Sequence, residues 1–224
     1  MKNLLSNLKI SVPEKIYVKD PESSDLGMRI IEKSISLINE IGFDAFTFKK
    51  LGVLIGSNES SIYRYFESKH KLLLYLSSWY WAWIEYQLVF ETHSISDKKE
   101  KLIKAIEVVS RTTKEDSNFS HINEVLLNQI IINENSKSFL TKEVDQENKD
   151  GYFVIYKSVV QRIKDIINEV KPDYNYALCL ASTIIEGSLH QHFLKEHFTS
   201  ITDCKQDITP TEFYINLTQN TLNI

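Results

Sequence analysis

Apolar residues recur at helical spacing along most of this chain, and the polar breaks between them predict a series of helices. Ser23, Ser24 and Asp25 offer N-caps to a first helix over 25–41, whose Ile30, Ile31, Ile35, Leu37, Ile38 and Ile41 form one stripe. Gly42 stops it, since glycine takes the left-handed C′ conformation without a Cβ clash. Thr47 is the next N-cap, and Phe46 and Leu51 stand where a hydrophobic staple would close. Gly56-Ser57-Asn58 supplies a turn, and Ser57 or Asn58 caps a short helix running to about Phe66. Glu67-Ser68 ends that helix, and a long fourth one follows from Lys69 to Thr92.

Further on, residues 98–115 are amphipathic, 121–133 are short and apolar, and 138–148 are polar with no clear period. A helix over 152–170 is terminated by Pro172, and another is expected over 173–197. Thr209-Pro210, a cap followed by proline at the first helical position, opens a last helix to about Leu222. Residues 1–24 show weak periodicity, two prolines and scattered lysines, and read as a loosely ordered arm. The expected fold is all-α: an arm (1–24), a three-helix DNA-binding domain with a helix-turn-helix (25–70) and a helical ligand-binding and dimerisation domain (71–224).

The bulk properties agree with long helices. Four prolines and six glycines in 224 residues disfavour a turn-rich β protein. No apolar run approaches the roughly 20 residues that cross a bilayer, so no membrane partner is expected. The first residues are too polar for a signal-peptide core. Cys179 and Cys204 lack metal or disulfide-framework spacing, which makes a reducing cytoplasm the expected compartment. A net charge of -4 does not oppose DNA binding, because counterion release depends on charges at the contact face.

A helix-turn-helix reads DNA by laying its second helix in the major groove while the first crosses the backbone. Here Ile62 and Phe66, four apart, are expected to face Leu51, Leu54 and Ile55, turning Ser57, Ser60, Ser61 and Arg64 outward. Small serines admit the backbone to the groove, and Arg64 has the reach for a guanine edge or a phosphate. The Tyr63 phenol suits a phosphate oxygen, and Lys69 opens a helix where charge and free N–H groups favour one. Thr47, Lys49 and Asn58 complete the candidate DNA contacts.

This pattern, Thr47, Leu51-Gly52, Gly56, Ser61-Ile62-Tyr63-Arg64-Tyr65-Phe66, Ser68-Lys69 and Leu72-Leu73, resembles the TetR family of bacterial transcriptional regulators over about residues 25–75. The resemblance implies phosphate contacts at Thr47, Tyr63 and Lys69 and base readers within 57–64. Two positions depart from the family. Gly52 stands where alanine is usual, a loss of up to about 1 kcal/mol in helix propensity. Glu59 stands where a basic residue is common; it suits the helix dipole but repels phosphate. Between Asp25 and Lys71 there are seven Lys/Arg against six Asp/Glu, so non-specific affinity should be modest and salt-sensitive.

The fourth helix carries Tyr75, Trp79, Tyr80, Trp81, Trp83, Tyr86 and Phe90, apolar on more than one side and so in need of contacts on more than one side. Trp83, Tyr86 and Phe90, with Val125, Gln129, Tyr152 and Tyr156, are the candidate lining of an effector pocket. His190, His192 and His197 with Glu186 and Glu196 lack a familiar ligand order, so no metal or cofactor is expected. Cys179, in an Ala/Leu run, reads as a buried small hydrophobe. No nucleophile elbow or phosphate loop points to an enzyme.

Residues 173–197 and 210–222 resemble the helices by which TetR-like proteins dimerise. Leu178, Ala181, Ile185 and Leu189 are the expected interface face, with Ala177, Leu180, Ile184 and Gly187-Ser188 at close-approach positions. The function implied is a homodimeric repressor on a palindromic operator in double-stranded DNA, released by a small, largely apolar effector. The alternative is an apolar-ligand binding protein whose helix-turn-helix makes protein contacts only.

Overall fold

Side-chain caps set many of the helix starts in the computed structural model, which describes residues 10–113, 121–205 and 207–224. Among these residues there are ten α-helices and no strand: α1 Asp25–Ala45, α2 Phe48–Leu54, α3 Glu59–Tyr63, α4 Lys69–Thr92, α5 Lys98–Ser110, α6 Glu124–Phe139, α7 Val144–Lys149, α8 Val154–Val170, α9 Ala177–His197 and α10 Pro210–Leu222. Ser24, Thr47, Asn58, Asp97 and Asn123 each accept a first-turn backbone N–H from their own helix. At α10 the cap is reciprocal: Thr209 accepts from Glu212 N, and the Glu212 carboxylate accepts from Thr209 N at 2.8 Å.

Several boundaries differ from the sequence reading. Gly42 takes a positive φ of 76°, but its ψ of 156° lies outside the left-handed helical conformation expected there, and a further turn to Ala45 follows the break. Helix α3 ends at Tyr63 because Tyr65 and Phe66 both donate to Ile62 O, tightening the chain there. Helix α5 ends at Ser110, where Arg111 turns to extended backbone; residues 114–115 of the expected helix lie outside the described residues. Helix α6 runs past the expected end at 133 to Phe139, and α9 starts at Ala177, four residues later than expected.

The described part of the N-terminal arm, from Ile10, is packed, which corrects its reading as loosely ordered. Ile10, Val12, Ile16 and Pro21 are buried, and Val18 N donates to Tyr65 O at 2.8 Å. The sequence signal failed because short 3₁₀ turns at Glu14–Ile16 and Pro21–Ser23 carry no helical period.

Packing divides the chain into two compact units. The first unit comprises residues up to Ala82 together with Thr113–Val154. In it α1 packs on α2 and α6, and α2 on α3. The second unit comprises Trp83–Thr112 and Ile155–Ile224, with α5, α9 and α10 packed on one another. Helix α4 contributes to both, and its residues from Leu72 to Trp81 are buried without interruption. No helix among the described residues is long and apolar enough to cross a membrane.

Candidate nucleic-acid interface

Helices α2 and α3 are held together by an apolar seam in which Leu51, Ile62 and Phe66 are fully buried and Ile55 nearly so. Leu54, expected in that seam, is instead 51% exposed with Val53 beside it, because a seven-residue helix has too few turns to cover both sides. Gly52 is buried at the seam, and a Cβ there would stand 2.9 Å from the Ser57 carbonyl oxygen. The close approach of the turn, which Ser57 N reinforces by donating to Gly52 O, explains a glycine where helix propensity favours alanine.

Several of the candidate contacts on these two helices are exposed. Ser60, Tyr63 and Arg64 are exposed on α3 and its C-terminal end, and Thr47 and Lys49 are exposed at the start of α2. The Asn58 amide oxygen caps α3, accepting from Ser61 N and from the Ser61 hydroxyl, both at 2.8 Å. Ser61 is therefore partly committed to the cap. Tyr63 stands edge-on against buried Phe48, ring centres 5.0 Å apart, which fixes its ring at the surface. Its hydroxyl lies 3.4 Å from the Glu59 carboxylate, so the unexpected acid faces a donor within the helix. The Thr47 hydroxyl accepts from Lys50 N at 3.2 Å and keeps its own hydrogen for an external acceptor.

Lys69 is placed differently from a simple surface cation. Its ammonium donates to the carbonyls of Phe43, Asp44 and Phe46 at 3.0, 3.1 and 3.2 Å and lies 4.8 Å from the Phe43 ring centre. Opposite it, Lys137 bridges Asp44 and Glu134 at 2.7 and 2.8 Å. Its hydrogen bond and charge hold the Asp44 carboxyl below the usual carboxylate range, while hydrogen bonds to Asp44 and Glu134 raise the Lys137 amine. Glu134 and Lys137, which grip this corner from α6, lie 91 and 93 positions from their partners Phe43 and Asp44, so no local pattern could announce them.

The candidate effector residues are scattered. In the second unit Trp83 is buried, Tyr86 half-buried and stacked on Phe90, and Phe90 is 69% exposed. Tyr156, also there, donates to Glu186 at 2.5 Å, and burial, then that hydrogen bond, pushes its phenol pKa up. Val125, Gln129 and Tyr152 belong to the first unit, where Gln129 is exposed and buried Tyr152 meets the Lys71 ammonium. Two cavities of the second unit, of about 270 and 400 Å³, lie elsewhere. One is bordered by Leu88, Thr92, Lys101 and Glu169, the other by Gln191, Ile201, Cys204 and Phe213.

On α9, Ala181 and Ile185 are fully buried within the chain, Leu189 is nearly so, and only Leu178 of the expected dimer face is exposed. Ala177, Leu180, Ile184 and Ser188 are buried as well. The open side of α9 carries exposed Leu178, Cys179, Thr183, His190 and His197, with Glu186 and Phe193 half-buried among them. Cys179 is exposed, which corrects its reading as a buried hydrophobe: an Ala/Leu run does not say which side meets the core. His192 is buried and its Nε2 lies 2.7 Å from Ser110 O, and burial holds its pKa below the ordinary 6.5. Gly187 lets α10 approach, since a Cβ there would collide with the Tyr214 phenol. Among the described residues no three His, Cys, Asp or Glu side chains gather as a metal site.

Residues 30–76 match the family described as bacterial regulatory proteins, tetR family. Comparison with curated proteins gave no match. The fold is similar to that of AibR solved with isovaleryl coenzyme A and operator DNA, at TM-score 0.55 and 14% identity over 85% of this chain and 95% of that one. It is also similar to a protein from Saccharomonospora viridis, described as a transcriptional regulator and solved with choline, at TM-score 0.56 and 18% identity over 86% and 94%. The superantigen PfiT shares the fold too, at TM-score 0.59 and 15% identity over 90% and 97%. At such identities these likenesses speak for the fold alone, and the segment at 30–76 carries the assignment. Residues 30–76 thus carry a helix-turn-helix segment like that of the tetR family of bacterial regulatory proteins.

Proposed function

We propose that the protein is a homodimeric repressor that binds a palindromic operator and is released by a small, largely apolar effector. The observation that supports this is the exposure of Thr47, Ser60, Tyr63 and Arg64 on a pair of helices joined by the buried α2–α3 seam. Thr47 and Tyr63 are the phosphate contacts, with Lys49 beside them, and Ser60 and Arg64 the principal base readers. Ser57, Asn58 and Ser61 shape the turn that presents them, and Lys69 acts first through the α1–α2 corner it holds. One recognition helix reads few base pairs, so two copies on a palindrome supply the missing specificity.

The dimer face on this reading is the open side of α9 and α10: Leu178, Thr183, His190, Phe193 and Phe213. Ala181, Ile185 and Leu189 support it from beneath. Effector contact is proposed at Trp83 and Tyr86 of α4 and at Tyr156, where Glu186 adds a polar anchor. The AibR and choline-bound structures show two dissimilar ligands on this fold, so the fold leaves the choice of effector to the side chains. Release requires the effector to prefer the state that does not bind DNA.

Selection from random duplex DNA followed by a mobility-shift titration tests the reading. A palindromic consensus bound with steep salt dependence is expected; no sequence-selective shift at low salt overturns it. Arg64→Ala and Ser60→Ala should change sequence preference, whereas Tyr63→Phe and Thr47→Val should weaken all sequences alike. Native mass spectrometry of the purified protein reports any retained effector.

A further inference from the structure

The corner between α1 and α2 is a break in the helix ladder that something else must hold. Gly42 leaves the helical region at φ 76°, and the next amide, Phe43 N, is buried. That amide donates to the Glu134 carboxylate of α6, at 3.1 Å. Glu134 is itself 9% exposed, and its second oxygen lies 2.8 Å from the Lys137 ammonium. Lys137 reaches on to Asp44, the next residue of the corner, at 2.7 Å. A second tie lies one turn earlier, where the Asn39 amide donates to Leu126 O at 2.6 Å. From the other side Lys69 holds three corner carbonyls. Thr47 follows the corner directly and opens α2.

A carboxylate accepting a buried backbone N–H is a charge-assisted bond with fixed direction, stronger than a neutral one. Within the connection itself Phe46 N donates to Gly42 O at 3.2 Å and the Lys50 ammonium to Ala45 O at 2.8 Å, and the ties from α6 anchor this short corner to the rest of the first unit. We propose that Glu134, supported by Lys137, is a positioning residue for DNA binding: it sets the α1–α2 corner, and through it Thr47 and α2, at the spacing the DNA backbone requires. This inference rests on the DNA-binding reading above. It makes α6 the part of the first unit whose displacement would be felt at the DNA surface, although no residue of α6 touches that surface.

The test uses the full chain and the operator obtained by selection. Glu134→Ala removes the acceptor, Glu134→Gln keeps an oxygen for Phe43 N–H, and Lys137→Ala removes the bridge to Asp44. Glu134→Ala should weaken operator binding by about tenfold per folded dimer, equally for all operator variants, since it moves a phosphate contact and not a base reader. Glu134→Gln should recover to within about threefold of the parent, and Lys137→Ala should lose about threefold. Combining Glu134→Ala with Thr47→Val should cost less than the product of the two, because a displaced corner already misplaces Thr47. A purely structural Glu134 lowers the melting temperature but leaves the affinity of the folded fraction unchanged, and that result overturns the inference. If Glu134→Ala does not fold, an unchanged affinity in Lys137→Ala overturns it equally. A parent protein that binds no DNA at all overturns the DNA-binding reading itself, a distinguishable outcome.

Discussion

At Gly42 and Gly52 the same residue type answers two different demands. Gly42 has open space around a notional Cβ, so its requirement is the backbone alone, φ 76°. Gly42→Ala should therefore cost about 1–3 kcal/mol in urea unfolding, with no change in the slope of the transition. Gly52 has ordinary backbone but no room. The stop at Gly42 was legible because a glycine after an apolar stripe has one common use; the crowding at Gly52 was not, because it depends on where the turn folds back. His192 gives a pH prediction of definite sign. Burial lowers its folded-state pKa below 6.5, so the unfolded chain binds the extra proton first as pH falls. Its contribution to stability is intact above about pH 7 and is lost as pH drops below the unfolded value of about 6.5. Melting temperatures from pH 7.5 to 5 should fall less for His192→Gln than for the parent.

Elements were easiest to read where the signal is local. The α10 start at Thr209-Pro210 and the full span of α4 from Lys69 to Thr92 follow from caps and composition. Helix α3 depends on its cap more than any other, being five residues long with Asn58 serving both Ser61 groups. Asn58→Ala should cost about 1 kcal/mol of stability and loosen the presentation of Ser60 and Arg64. The matching measurement is hydrogen exchange at the α3 amides, which should accelerate without a comparable change in α4. What stayed hidden in the sequence were contacts between distant elements. The reading of α9 shows why. Its apolar residues surround the helix, so periodicity did not say which of Leu178 and Ala181 meets the chain's own core. Only the packing on α5 and α10 decides that, leaving Ala181 at 0% and Leu178 at 53% exposure.

That difference separates folding from assembly at the level of the whole molecule. If the open stripe of α9 and α10 is the dimer face, a charge at Leu178 meets its symmetry-related copy, whereas a charge at Ala181 enters the core of its own chain. Leu178→Glu should leave the cooperative unfolding of each chain intact while shifting sedimentation from dimer to monomer. Operator affinity should then fall steeply and become protein-concentration dependent, because two half-sites are no longer bound as one. Ala181→Glu should instead lower the melting temperature by a large margin, since an unpaired charge is forced into a buried site. A Leu178→Glu protein that stays dimeric with undiminished operator affinity would move the interface away from this stripe and leave Leu178, Thr183 and His190 open to another use. The fold alone does not prevent that, since a superantigen and DNA-binding regulators share it.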